Sequence, residues 1–310
     1  MKSKSLILLL AVACISLFAF SGCRMGNRSR QAETKSSEAS PEAAKAAEPQ
    51  AELSISAGDG AGIDLPEKEE IRRKFQLEAA ASINVTNING SVTVETTDAN
   101  TAEVLIVRSA KTREDLENYR KVNIEQQENR LRIGIENDRK SLFSSLGKIP
   151  EGRQRVVLKI PRKVNFNSYN VNGNVTLGEI QGRVGLHEIN GQIKAARFAG
   201  QTSFGNINGG IDATFAQLNG KGLEVFDVNG NVDLRFEGEV NADLNAWSII
   251  GKLNPELPDV QAGNEEPGRD RLKARIGTGG TQIRINNING NVNLLKAEKT
   301  STSSAKAAGK

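Results

Sequence analysis

One histidine, a scatter of aspartates and one basic run are the side chains whose types and spacing invite a chemical reading first. His187 stands beside Glu188, as a general base would, but it is the single His of 310 residues. No Ser-His-Asp set can be assembled around it, and its place in a repeat reads as a solvated corner. Asp212 and Asp233 both lie three residues after a repeat glycine, so successive turns of a repeat would bring the two carboxylates together. Such a pair could bind a cation or divide acid and base roles. Asp227 and Asp243 fall at other repeat positions, and the simplest reading of all four is solvated surface. Arg153, Arg155, Lys159, Arg162 and Lys163 alternate along a strand-like segment. They read as a solvated strand face that could touch anionic lipid or envelope glycan. One His and two Cys, Cys14 and Cys23, rule out His-based zinc sites, Cys–His clusters and a disulfide framework. No phosphate-cradling loop, dinucleotide fingerprint or metal-ligand spacing is present. No cofactor and no enzyme activity are expected.

The elements that would position these groups come from a repeat. The chain has 30 Gly, 29 Asn and only 13 aromatics, which suits thin, repetitive β-layers. Gly173, Gly182, Gly191, Gly200 and Gly209 are spaced by nine, and Gly220, Gly230 and Gly238 continue the series less regularly. Around most of them, apolar residues stand two before, two after and four after: Val171, Val175 and Leu177 about Gly173, and Val228, Val232 and Leu234 about Gly230. Isolated copies occur at Ile88-Asn89-Gly90 and Ile288-Asn289-Gly290. Fixed-period self-similarity marks a repeat architecture.

Asn precedes glycine at Asn89, Asn172, Asn190, Asn208, Asn219, Asn229 and Asn289. Asn-Gly is also the strongest short hairpin signal, so an antiparallel meander is the alternative. Its phase is wrong. In a two-residue hairpin the flanking residues share a face, and here they pair apolar with polar, as Val171 with Asn174 and Val228 with Asn231. A chain that runs on through the glycine and turns five to six residues later keeps the apolar positions together. The fold expected is therefore all-β: a parallel β-solenoid of coils of about 18 residues, each of two nine-residue halves, with flanking strands and one short helix. Stacked Asn172, Asn190, Asn208 and Asn229 would form an amide ladder, with Gln181, Ala199, Asn219 and Glu237 in the opposite column.

Before the repeat, Lys2 and Lys4 precede an apolar run, Leu6 to Phe20, that ends in Ser21-Gly22-Cys23. This resembles a bacterial lipoprotein signal, which implies that Cys23 is acylated and becomes the N-terminus. Arg24 to about Pro66 is rich in Ala, Glu, Ser, Lys and Pro, and cannot bury enough surface to order itself. It reads as a tether with a mean reach of about 35 Å. Without Lys2 and Lys4 the charge falls from 41 basic against 37 acidic to 39 against 37, so nucleic acid is not an expected partner.

Among the flanking segments, Ile83–Val94, Glu103–Val107, Asn123–Ile135 and Arg153–Ile160 read as strands. Thr112 is placed to cap a helix over Arg113–Lys121, Asn254–Gly268 reads as a surface loop, and Arg275–Leu294 as a closing strand region. The organisation expected is signal peptide 1–22, tether 23–68, N-terminal β segment 69–164, repeats 165–295 and tail 296–310.

The Asn-Gly units, the strand Val157–Pro161 before them and the closing Gly279-Gly280 to Gly290 segment resemble one bacterial β-strand-repeat family, domain of unknown function 4097, which carries the label "putative adhesin". The resemblance spans about residues 70–295 and brings no catalytic residues with it. It implies an envelope-associated protein; with the signal, the tether and the site-poor repeat, the chain reads as a lipid-anchored envelope protein whose repeat is a structural or adhesin-like binding surface, held to the membrane by lipid and meeting envelope glycan or a surface protein. Two other classes remain open: an envelope-stress sensor that binds a partner protein, and a glycan-active β-helix enzyme. Replacing Cys23 by Ala should abolish incorporation of a fatty-acid analogue in metabolic labelling; label retained in that variant contradicts the lipoprotein reading.

Overall fold

The computed structural model describes residues 65–135, 151–219, 222–262 and 271–297. Cys23, the signal and tether up to residue 64, Gly220, and the tail from residue 298 lie outside the described residues. Among those described, no helix is long and apolar enough to cross a membrane.

Each Asn-Gly that lies wholly among the described residues joins two strands in different sheets. The first unit is β2, Ser82–Ile88, and β3, Val92–Thr97, preceded by an edge strand β1, Glu67–Gln76. Next comes a cap: β4, Thr101–Ala110; the helix α1, Arg113–Asn118; the hairpin β5, Asn123–Gln127, with β6, Arg130–Gly134; and β7, Gly152–Pro161. The central units are β8, Asn165–Val171, with β9, Val175–Leu177; β10, Val184–Ile189, with β11, Ile193–Phe198; and β12, Thr202–Asn208, with β13, Ile211–Phe215. They continue as β14, Leu223–Asn229, with β15, Val232–Phe236, and β16, Ala242–Ile250, with β17, Leu253–Glu256. Last are β18, Val260–Ala262; β19, Arg271–Ile276; and a final unit of β20, Thr281–Asn289, with β21, Val292–Lys296.

The fold is all-β, with two large and mostly parallel sheets. One sheet runs β1-β4-β7-β3-β9-β11-β13-β15-β21-β17, and the other β18-β19-β16-β20-β14-β12-β10-β8-β2-β6-β5. The units stack in the same order in both sheets. In the central stack each strand pairs in parallel with the strand one coil on: Val184 opposes Phe166 and Thr202, and Ile193 opposes Val175 and Ile211. These partners are 18 residues apart in the chain, as the apolar spacing predicts. The antiparallel meander is thereby excluded for the repeat. The two isolated Asn-Gly copies join the stack. β2 and β3 lie on β8 and β9, while β20 and β21 insert between the β14–β15 unit and the β16–β17 unit.

The inward residues of both sheets share one core. Val171, Val175, Ile189, Ile193, Ile207, Ile211, Val228 and Val232 are buried in it, while Asn174, Arg183, Gln192 and Asn231 are exposed. Inside, Phe198, Phe215 and Phe236 follow one another on consecutive coils with ring centroids 6.0 and 5.4 Å apart. Parallel stacking puts like residues above like, so these rings add contact beyond their area burial.

Three local expectations are corrected. The chain does not run straight through the motif glycine; it turns there into the other sheet. The apolar positions on either side still meet, because the two sheets face one interior. Asn123–Ile135 is not one strand but the β5–β6 hairpin, with Glu128 in the left-handed region at φ 50°. Asn254–Gly268 is not all loop, since β17 and β18 take residues 253–256 and 260–262. The helix starts where expected and ends at Asn118, short of Lys121. Thr112 accepts a hydrogen bond from the Asp115 N–H at 3.1 Å, and Leu116 is buried. Edge strand β1, EKEEIRRKFQ, is charged along most of its length, a sequence that discourages pairing with another chain.

Val184 is 3% exposed, whereas Arg183 beside it lies on the surface. Burying an unpaired carboxylate is far more costly than placing one in water. Val184→Asp should therefore cost about 3 kcal/mol or more, and Arg183→Asp within about 0.5 kcal/mol of zero, in chemical denaturation. Equal costs would contradict the inward assignment.

Candidate functional site

The Asn side chains of the motif form one continuous ladder. The Asn172 amide donates to the Asn89 carbonyl oxygen at 3.1 Å, Asn190 to Asn172 at 3.0 Å, and Asn208 to Asn190 at 3.1 Å. Asn229 donates to Asn208 at 3.2 Å, and Asn289 to Asn229 at 3.0 Å. At the cap end the Asn89 amide donates to the Gly152 carbonyl at 3.0 Å and to the Tyr119 hydroxyl at 3.2 Å. Burial raises the Tyr119 pKa. At the other end Ile250 takes the place of Asn, 76% exposed and unable to donate, and the ladder stops.

Gly90, Gly173, Gly191, Gly209, Gly230 and Gly290 stand in the adjacent column. A Cβ on Gly191 would lie closer than 3.0 Å to the Gly173 carbonyl oxygen, and one on Gly230 equally close to that of Gly209. Asn219 belongs to the opposite column, where its amide donates to the Ala199 carbonyl at 2.9 Å. Glu237 of that column is one end of a chain of alternating charge. Arg162 pairs with Asp98 and Glu179, and Arg197 with Glu179 and Glu237.

Three residues before each motif glycine the backbone enters the left-handed region. Asn87, Asn170, Glu188, Asn206, Asp227 and Asn287 have φ of 53 to 57°. Asn and Asp tolerate this conformation best, which explains most of the residues found there. The kink breaks the inside–outside alternation just ahead of the corner. Asp227 is thus a kink residue whose carboxylate accepts from the Asn287 amide at 2.9 Å.

The other chemical candidates are dispersed. Asp212 and Asp233 are brought side by side on the outer face of the first sheet, but Arg235 pairs with both and Asn293 donates to Asp233 at 2.6 Å. Asp243 lies on the other sheet, where it accepts from the Gly280 N–H at 3.1 Å. Among the described residues no three His, Cys, Asp or Glu side chains gather as metal ligands. The basic run is divided: Arg153, Arg155 and Lys159 lie along β7, with Glu103 opposite Lys159, while Arg162 belongs to the chain of alternating charge and Lys163 is exposed. His187 is not a corner residue. It sits on the outer face one position before the kink, half-buried, with its ring centroid 5.8 Å from that of Phe226. Burial lowers its pKa, against the opposing pull of Glu224 and Glu188.

A row on that same face was not singled out from the sequence. Thr86, Tyr169, His187, Gly205, Phe226, Asn286 and Trp247 are successive cross-strand partners. Each stands four residues before a motif glycine, Gly251 included, and this offset was available in the sequence.

No family model matches the chain, and no curated protein matches it. Among solved structures, a "putative cell adhesion protein" from Clostridium sporogenes is similar over 74% of this chain and 100% of its own, at 12% identity and a TM-score of 0.39. A "putative adhesin" from Bacteroides fragilis is similar over 75% of this chain and 100% of its own, at 10% identity and a TM-score of 0.25. A "putative lipid binding protein" from Parabacteroides distasonis covers 77% of this chain and 98% of its own, at 10% identity and a TM-score of 0.22. Likeness this distant carries no argument about what the chain binds.

The ladder makes opposite predictions at its middle and its end. Asn190→Ala removes two amide bonds and should cost about 1–2 kcal/mol, whereas Ile250→Asn adds a donor facing Asn289 and should gain about 0.5–1.5 kcal/mol. Denaturant midpoints of the two variants check this. An Ile250→Asn protein no more stable than the parent would contradict it.

Proposed function

We propose that the chain is a lipid-anchored cell-envelope protein whose folded part is a parallel β-solenoid, with coils of about 18 residues, serving as a structural or adhesin-like binding surface. The observation that carries this reading is the register. Seven strand pairs stack in one order in both sheets, which sets out two outer faces of adjacent strands. Regular faces of this kind suit extended contact with a polymer or another protein. The carboxylate pair best placed for chemistry, Asp212 and Asp233, is engaged by Arg235, and this supports a scaffold rather than an enzyme.

In this reading residues 1–22 are a signal peptide, Cys23 carries the lipid, residues 23–68 are the tether, and the folded part begins near residue 69. The segment 69–164 caps and opens the repeats of 165–295, and 296–310 is a tail. The protein belongs in the β-strand-repeat family that its Asn-Gly units resemble. Its partners are the membrane, through the lipid, and an envelope glycan or surface protein. The full-length Cys23→Ala protein should be retained on whole cells or isolated envelope glycan without consuming it. Turnover of polysaccharide would overturn the reading in favour of an enzyme. Recovery of one stoichiometric protein partner, with no retention on cells, would overturn it in favour of a sensor.

A further inference from the structure

We propose that the outer face of the second sheet, between Tyr169 and Phe226, is a binding site for an extended β-linked polysaccharide whose pyranose rings stack on the two aromatic side chains. The proposal rests on the binding-surface reading and names its face and its ligand.

Tyr169, His187, Gly205 and Phe226 occupy one row across β8, β10, β12 and β14. Tyr169 and Phe226 are three strands apart, about 14 Å at the ordinary spacing of paired strands. The next row across the same strands is Asn167, Gly185, Ser203 and Glu224. Between the two aromatic residues, Asn167 and His187 border Gly185, the Phe226 ring lies over Gly205, and Ser203 is partly exposed, so the face is a shallow aromatic platform of Tyr169, His187 and Phe226.

The rings are held in place. Tyr169 is 47% exposed, and its hydroxyl donates to the Glu188 carboxylate on the next coil. Phe226 lies over Gly205, where a Cβ would come closer than 3.0 Å to the ring, and its other neighbour is the His187 ring. Asn167 is tied to Asn84 by a 3.2 Å amide bond. Side chains ordered before binding lose little freedom when a ligand arrives.

The chemistry around the rings selects among ligands. The Glu188 and Glu224 carboxylates border this face, and negative charge there disfavours a polyanion such as nucleic acid. A pyranose ring suits aromatic planes and carboxylates alike. Its C–H face stacks on an aromatic plane, and its hydroxyl rim bonds to amides and carboxylates such as Asn167 and Glu224. A β-linked chain is extended, and the face is extended in the direction of stacking. Trp247 lies in the same row two strands beyond Phe226 and is the chain's single Trp, so its fluorescence reports on this face.

The full-length Cys23→Ala protein should be titrated with chitohexaose and with cellohexaose, by calorimetry and by Trp247 emission. Binding of at least one is expected. Tyr169→Ala and Phe226→Ala should each weaken it about tenfold or more, the scale of losing one anchoring aromatic contact. Ser203→Arg, which puts a long side chain between the aromatic residues and leaves both rings, should abolish it. Tyr169→Phe should bind nearly as the parent does, and Thr176→Ala on the outer face of the other sheet should change nothing. Melting curves establish that each variant is folded; if an alanine variant is not, Ser203→Arg and Tyr169→Phe still decide. No binding of either hexasaccharide by a protein that is nevertheless retained on cells overturns this inference and leaves the binding-surface reading standing. Absence of both overturns both. Hexasaccharide binding that survives Ser203→Arg and both alanine variants overturns the choice of face.

Discussion

In each coil the carbonyl oxygen of the motif glycine lies where a side chain on the next motif glycine would have to begin. Gly173 blocks Gly191, Gly191 blocks Gly209, Gly209 blocks Gly230, and Gly230 blocks Gly290. The corner can close at the spacing of paired strands only if this column has no Cβ. The backbone bonds across the corner depend on that approach: the Gly209 N–H donates to the Asn229 carbonyl at 3.0 Å, and the Gly230 N–H to that of Asn289 at 3.0 Å. Everything else in the stack inherits its register from this column.

The register then does two things at once. It brings Val, Ile, Leu and Phe of successive coils into one core, and it aligns each Asn beside a glycine with the Asn one coil away. A single such side-chain hydrogen bond is worth about 0.5–1.5 kcal/mol. Its role is to penalise slippage, because a one-residue shift would turn every inward apolar residue outward and break every rung. A second set of rungs works on the same corner. The Gln192 N–H donates to the Asn174 side chain at 2.9 Å, and the Gly210 N–H to Gln192 at 3.1 Å. Asn is abundant in this chain because it serves in three places: the ladder, the side chain after the glycine, and the left-handed kink.

Much of this was legible in the sequence. The nine-residue spacing and the apolar phase give the parallel stacking, the 18-residue coil and the inward set. The Asn column follows from them, and Thr112 announces the helix. What could not be read was the path at the glycine. A straight strand and a corner between facing sheets bury the same residues, so apolar phase cannot tell them apart; only the carbonyl of a neighbouring coil does. The insertion of β20 and β21 ahead of β16 and β17 was also hidden, because partners 60 residues apart leave no period. His187 reads as a corner residue if the chain turns five to six residues after Gly182; because it turns at the glycines instead, His187 lies on β10. The aromatic row containing Tyr169 and Phe226 was readable from its fixed offset, yet glycine and polar members dilute it to a pattern that no composition measure detects.

The proposed role follows from the same geometry. A corner that repeats without change makes outer faces that repeat, and a repeating face meets a repeating polymer in register. The account therefore stands or falls on the glycine column. Its most direct test is the denaturation free energy of Gly191→Ala compared with Gly238→Ala, the latter at a position where the nearest atom to an added Cβ is a carbonyl oxygen at 3.6 Å. Gly191→Ala should cost about 2 kcal/mol or more, or prevent folding, and Gly238→Ala should be neutral or slightly stabilising. Two variants of equal stability would contradict the stack as described.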